Sequence, residues 1–309
     1  MNELIKVMEI VMPIFVTIFL GIFARKNNKI SEEASKGLQQ FIMTFCLPCV
    51  LFNSCLTANF GMESITSMVL VMSLIFISSV WSFGMRKKKY QYHNLPQIFS
   101  SQETGMLGIP LFITLFGTAH AYRMGVLDVA QSVVAIPVIA ILSADTGKNP
   151  SAGYVAKKVF SSPLLLMSLL GLALNLTGII DVLNTIGIGA VITEVTGFLS
   201  GPVSAVILFC VGYNFTMEKE NMKDVLEICS LHFVIFAVIC GIIQAVFFFV
   251  PSVDVQTKWA IVLYCALPGS YLTASLGKTN EDRAVAASVC SVLTLVCLAI
   301  FCIMTVVVA

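Results

Sequence analysis

Ser100-Ser-Gln-Glu-Thr-Gly-Met-Leu-Gly-Ile-Pro110 is a polar, glycine-bearing run set inside apolar sequence, and Tyr264-Cys-Ala-Leu-Pro-Gly-Ser-Tyr271 is its counterpart further along the chain. A mid-helix proline removes a backbone donor and clashes with the preceding turn, and Gly105, Gly108 and Gly269 lower the cost of leaving helical geometry. Both stretches are therefore expected to break a membrane-spanning helix near the bilayer centre. A break frees carbonyls on the incoming half-helix and N–H groups on the outgoing half, which lipid cannot satisfy. Protein, water or a bound solute must do so. The outgoing half begins with partial positive charge and suits an anion, while the carbonyls of the incoming half suit a cation.

The composition around these stretches is that of a membrane protein. Of 309 residues 58% are hydrophobic and 11% charged, with a mean hydropathy of +0.93, against roughly 25% charged in an average soluble chain. Apolar windows fall at 7–24, 36–57, 64–85, 95–117, 121–142, 158–180, 190–215, 229–250, 256–277 and 284–307, each near the length that one helical span needs. Short connections leave no room for a soluble catalytic or nucleotide-binding domain, and a net charge of +1 gives no reason to expect a nucleic-acid partner. No signal peptide is expected, because Glu3, Lys6 and Glu9 precede the first window. The ten cysteines lie in or beside apolar windows without metal-ligand spacing and read as small packing residues.

Lysines and arginines give the orientation. Arg25, Lys26, Lys29, Lys36, Arg86 to Lys89, Lys148, Lys157, Lys158, Lys219, Lys223, Lys278 and Arg283 flank the odd-numbered loops, leaving Lys6, Arg123 and Lys258 on the other side. The odd loops are then cytoplasmic and both termini external. The run Arg86 to Lys89 reads as a topology anchor on anionic lipid.

The chain also repeats. Pro13 to Gly21 in span one has the same interval as Pro163 to Gly171 in span six; Pro48 answers to Pro202, and Gly-Ile-Pro110 to Ala-Leu-Pro268. Each unit holds five spans, an odd number, so the second copy, 151–309, must be inverted relative to the first, 1–150. The expected fold is thus all-α, with ten transmembrane helices in two inverted five-helix repeats and broken crossing helices four and nine. Such repeats place a substrate site at their interface, near the midplane.

Candidate site residues follow from polarity at that depth. Glu103 is placed about one turn to the cytoplasmic side of the first break and reads as the ion-coupling group, with Gln102 and Asp128 beside it and Na+ its possible metal. Asp128 and Gln131 are three residues apart, on one helical face. Asn53, Thr104, Gly105, Gly108, Pro110, Gln131, Pro268, Gly269, Ser270 and Tyr271 make up the expected substrate chamber. Glu9, Glu194, Lys258 and His232 read as span-end residues, whose long or amphipathic side chains reach the interface. Pro13, Pro48, Pro137, Pro163 and Pro202 read as kinks of packed helices.

The Thr-Gly-x-x-Gly-Ile-Pro-Leu run at 104–111, and the Ala-Leu-Pro-Gly run followed by Leu276-Gly277-Lys278-Thr-Asn-Glu-Asp282, resemble the auxin efflux carrier family, which includes bacterial members and the plant PIN-formed proteins. The resemblance implies a scaffold of spans one, two, six and seven that dimerises, and a transport domain of spans three to five and eight to ten moving like an elevator. It also implies that Gln131 lines the pocket. Glu103 stands where the family usually has asparagine, and Met106 where plant carriers have a second one, so auxin is not the expected substrate. Gln102-Glu103-Thr104-Gly105-Met106 is similar to the sodium-binding crossover of bile acid:sodium symporters, although Leu107 and Gly108 replace the Gln-Asn that follows there.

The expectation is a secondary transporter of a small organic anion in a bacterial cytoplasmic membrane, driven by Na+ or H+ through Glu103, without a cofactor. Uncoupled uniport with a structural Glu103 is the alternative, and a receptor built on a transporter fold is a further one. An intramembrane enzyme pairing Glu103 with Asp128 is not expected, since no histidine, serine or metal motif joins them.

Overall fold

The computed structural model describes residues 2–90, 92–144, 162–216, 221–250 and 253–308. Among them every extended regular element is helical, and the strand-like feature is an isolated antiparallel bridge between Gln102 and Gly269. In chain order the helices are α1 (Asn2–Lys26), α2 (Glu32–Leu56), α3 (Met62–Met85), α4 (Leu95–Ile98), α5 (Thr104–Phe116) and α6 (Tyr122–Ala144). There follow α7 (Pro163–Thr177), α8 (Ile179–Thr185), α9 (Ile188–Asn214), α10 (Met222–Phe248), α11 (Val255–Ala266), α12 (Leu272–Ser275) and α13 (Asn280–Val308).

Among the described residues seven helices are long and apolar enough to cross a bilayer, or eight if α7 and α8, bent by 79°, count as one span. The chain is a multi-pass membrane protein. Where spans four and nine are expected, each stretch is two shorter helices with a gap between them: α4 and α5, and α11 and α12. The start of span six at 158, the repeat boundary at 150, and Lys148, Lys157, Lys158 and Lys219 lie outside the described residues.

Local chemistry explains the interruptions outside the crossing. Gly178, with φ +67°, ends α7 in the left-handed conformation that glycine adopts freely and starts the turn into α8. Pro48 follows a π turn at Ile42–Cys46, a wider turn that absorbs the missing N–H without ending α2. Pro163, expected from the sequence to kink a packed helix, instead opens α7, where its absent N–H has no partner to lose.

Lipid tails are as apolar as leucine, so helices in a bilayer associate through close packing of small residues rather than through exclusion from water. Here α1 packs on the second half of α9, and α7 on the second half of α2. A Cβ on Gly21 would stand 2.1 Å from the Phe209 carbonyl oxygen, and one on Gly171 would stand 2.5 Å from that of Phe52. Only glycine permits either approach. Phe19 and Phe198 are exposed on the outer faces of these helices, as lipid contact requires. The main core, with Phe99, Phe112, Phe236 and Tyr264 fully buried, surrounds the two gaps. All ten cysteines are free; eight are buried and two partly so, consistent with packing.

Candidate functional site

The gaps face each other. The Glu103 N–H donates to the Pro268 carbonyl at 2.9 Å and the Ser270 N–H to the Ser101 carbonyl at 3.0 Å, which makes the antiparallel bridge between Gln102 and Gly269. A side chain at Gly269 has no room, since a Cβ would stand 2.9 Å from the Ile98 carbonyl oxygen.

Other peptide groups freed by the breaks find side chains. The Phe99 carbonyl accepts from the Ser78 hydroxyl at 2.7 Å, and the Gly269 carbonyl from the Cys290 thiol at 3.3 Å. Oriented by its neighbours, the Gln102 side-chain amide donates to the Leu267 carbonyl at 2.7 Å and the Pro268 carbonyl at 3.1 Å, and reaches His232 Nε2 at 3.3 Å. The Gln102 peptide is held from the far side by Gln131, whose Oε1 accepts its N–H at 2.7 Å and whose Nε2 donates to its carbonyl at 3.0 Å. Protein thus satisfies much of what a membrane break leaves bare, a share the sequence alone could not apportion between protein, water and solute.

Glu103 sits within the first gap rather than a turn to one side of it. Its Oε2 accepts from the Tyr271 N–H at 2.7 Å and its Oε1 from the Met106 N–H at 3.3 Å, so one carboxylate ties the starts of both outgoing half-helices. Asp128 Oδ1 accepts from Gln131 Nε2 at 2.9 Å and from the Thr104 hydroxyl. Among the described residues no lysine or arginine bonds to either carboxylate. Two acidic groups held without a fixed cation carry a cost that protonation or a bound cation would relieve.

The remaining candidates divide by position. Gln102, Pro268, Gly269, Ser270 and Tyr271 line the meeting of the gaps, with Thr104 and Gln131 against it. Gly105 packs toward Met43, and Gly108 toward Leu267 and Met124, as close-packing positions. Pro110 is not at the break: it is the second residue of the helix that follows a π turn at Thr104–Gly108. Asn53 is elsewhere, with its Oδ1 accepting from the Thr196 hydroxyl at 2.6 Å.

Four contributors escape the sequence reading. His232 is no span-end residue; it lies midway along α10, buried, with its ring 4.4 Å from Phe236 and 5.6 Å from Phe99. Ser78, Cys290 and Tyr264 are the others. A lone polar group in an apolar span is the available signal, and it is a weak one.

Residues 6–149 match the model of a family described as membrane transport protein. The chain is also similar to the "Uncharacterized transporter YfdV" of Escherichia coli K12, with 22% identity over 156 residues that make up 48% of each chain. The proteins of the same name from Escherichia coli O157:H7 and Shigella flexneri give the same values. The chain thus spans about half the length of the curated relatives it matches.

Proposed function

We propose that this chain, whose residues 6–149 match the membrane transport protein family, is a secondary transporter. It carries a small organic anion of the carboxylate class across a bacterial cytoplasmic membrane, coupled to Na+ or H+ through Glu103. The observation that carries this is the Glu103 carboxylate bonded to the Tyr271 and Met106 N–H groups, one from each broken segment.

Those two donors suit a carboxylate, and the protein's own carboxylate already occupies them. When a proton or Na+ neutralises Glu103, its hold on both N–H groups weakens and a substrate carboxylate can take its place. Anion and cation then enter together, which is symport. Asp128, half-buried beside Thr104, is the second group that cation meets.

The inverted-repeat reading is supported by the packing. Span one on seven and span six on two are equivalent pairs under a five-span repeat, and the matched glycines Gly21 and Gly171 make the close contact in each. On this reading spans one, two, six and seven form a scaffold that pairs with a second copy, and the remaining spans move past it. The lysine and arginine bias supports an orientation with both termini outside.

Uniport has one observation in its favour: both Glu103 oxygens are engaged within the protein, as a purely structural cap would be. Glu103→Gln separates the two. In proteoliposomes supplied with labelled acetate, succinate and indole-3-acetate, coupling predicts that the variant keeps anion exchange but loses at least tenfold of its stimulation by a Na+ or pH gradient. Unchanged gradient dependence removes Glu103 from coupling, and no flux of any carboxylate removes the anion reading.

A further inference from the structure

Gln131 has no hydrogen-bonding capacity to spare. A side-chain amide offers two N–H hydrogens and one oxygen with two lone pairs. The Oε1 lone pairs are taken by the Gln102 N–H at 2.7 Å and the Tyr264 hydroxyl at 2.9 Å. The Nε2 hydrogens face three acceptors: the Gln102 carbonyl and Thr104 Oγ1, both at 3.0 Å, and Asp128 Oδ1 at 2.9 Å. The side chain is 4% exposed, and nothing on it is left to offer a solute.

We propose that Gln131 and Tyr264 are positioning residues that hold the first broken segment in its unwound form. Gln131 serves the Gln102 peptide as an adjacent strand would, meeting its N–H and its carbonyl together, on the side away from Gly269. Tyr264 comes from α11, the incoming half of the other break, and is fully buried. Its hydroxyl can only donate to Oε1, which fixes the amide oxygen toward the Gln102 N–H and the nitrogen toward the Gln102 carbonyl. The first break is thereby held, through Gln131, by a residue of the second, before any cargo arrives. Gln131 then shapes the site without touching what passes through it, unlike the pocket-lining role implied by the resemblance.

This deepens the transport reading, but it is tested through the backbone, so its failure shows in amide exchange and failure of the transport reading shows in flux. The full chain in lipid nanodiscs is compared with Tyr264→Phe, Gln131→Ala and the double variant by hydrogen–deuterium exchange resolved at Gln102. Loss of the Gln131 bonds is expected to speed exchange there by about tenfold or more, and loss of the tyrosine hydroxyl by roughly threefold to tenfold, about one hydrogen bond's worth. Because Tyr264 acts through Gln131, the double variant exchanges no faster than Gln131→Ala alone. The phenylalanine ring keeps the packing, so the melting temperature of Tyr264→Phe stays near the parent's. If the Tyr264→Phe variant protects Gln102 as well as the parent does, or the two effects multiply, the proposal is overturned. Should Gln131→Ala not fold, the similarly sized Gln131→Met, which can neither donate to the Gln102 carbonyl nor hold its N–H as an amide oxygen does, replaces it.

Discussion

Arg123 is one of three cations that the charge bias leaves on the external side, and the structure commits it to protein partners rather than to an incoming anion. Its guanidinium pairs with Asp254, reaches Thr257 Oγ1 at 3.1 Å and meets His120 Nδ1 at 2.8 Å. Asp254 lies just ahead of α11 and caps it, accepting from the Thr257 N–H at 2.7 Å. Partial burial works to raise this carboxyl's pKa, but the bonds from Arg123 and Thr257 outweigh it and hold it below the usual carboxylate range. A depressed carboxylate gives stability that is fully present above its unfolded pKa of about 4 and is lost as pH falls through the lower folded value. Asparagine also caps helices, so Asp254→Asn isolates the charge. The variant should melt slightly below the parent at pH 7, by about 0.5 to 1 kcal/mol for a pair that water reaches on the Asp254 side. The difference should shrink as pH falls from 4 toward 2, and parallel melting curves across that range would remove the ion pair as the cause.

At the scale of helices, the matched glycines test the pairing directly. Gly171→Val and Gly21→Val each drive a side chain into a facing backbone carbonyl that cannot retreat without moving its helix. Overpacking of this kind costs about 1 to 3 kcal/mol, or more where backbone must shift. Both variants should lose thermal stability in detergent, whereas Gly84→Val, with open space around it, should not; equal melting temperatures for all three would refute the close approach. The same scale shows why part of the crossing was legible and part was not. In the second broken segment Pro268 and Gly269 stand in the gap itself, because it needs an extended turn with no room for a side chain. In the first, the gap is Phe99 to Glu103, a stretch without glycine or proline, and Pro110 lies beyond it in helix. Inside α5 the π turn at Thr104–Gly108 accommodates the missing N–H of Pro110, as the one ahead of Pro48 does in α2, so a proline in the sequence marks a widened turn as readily as a break. Gln131 is legible as a polar residue at depth, but its partners come from elements far apart in sequence, so spacing could not show that its capacity was already spent.

For the molecule as a whole, the proposed movement of spans three to five and eight to ten against the others would have to break whatever ties the two groups together. One such tie is at the end of α2. Ser54, near the end of α2, accepts from the Tyr122 N–H at 2.7 Å and donates to the Ala119 carbonyl at 3.0 Å, and is buried. The Tyr122 ring packs against Cys55 and Ala58, with its centroid 5.2 Å from that of Phe60. The two bonds join α2 to the connection between α5 and α6, where the Tyr122 N–H begins a helix and has no partner within it. Ser54→Ala removes both bonds and leaves the apolar contact. It should weaken this arrangement by about 1 to 2 kcal/mol, which favours the alternative position that the proposed movement requires. Amide exchange at Tyr122 then rises, and exchange along α5 and α6 rises with it on the face turned toward α2. If the tie only staples a rigid bundle, the rise stays at Tyr122 and the rest of the interface exchanges as in the parent. Exchange that remains local would therefore sink the sliding arrangement while leaving the helix pairing and the broken crossing intact.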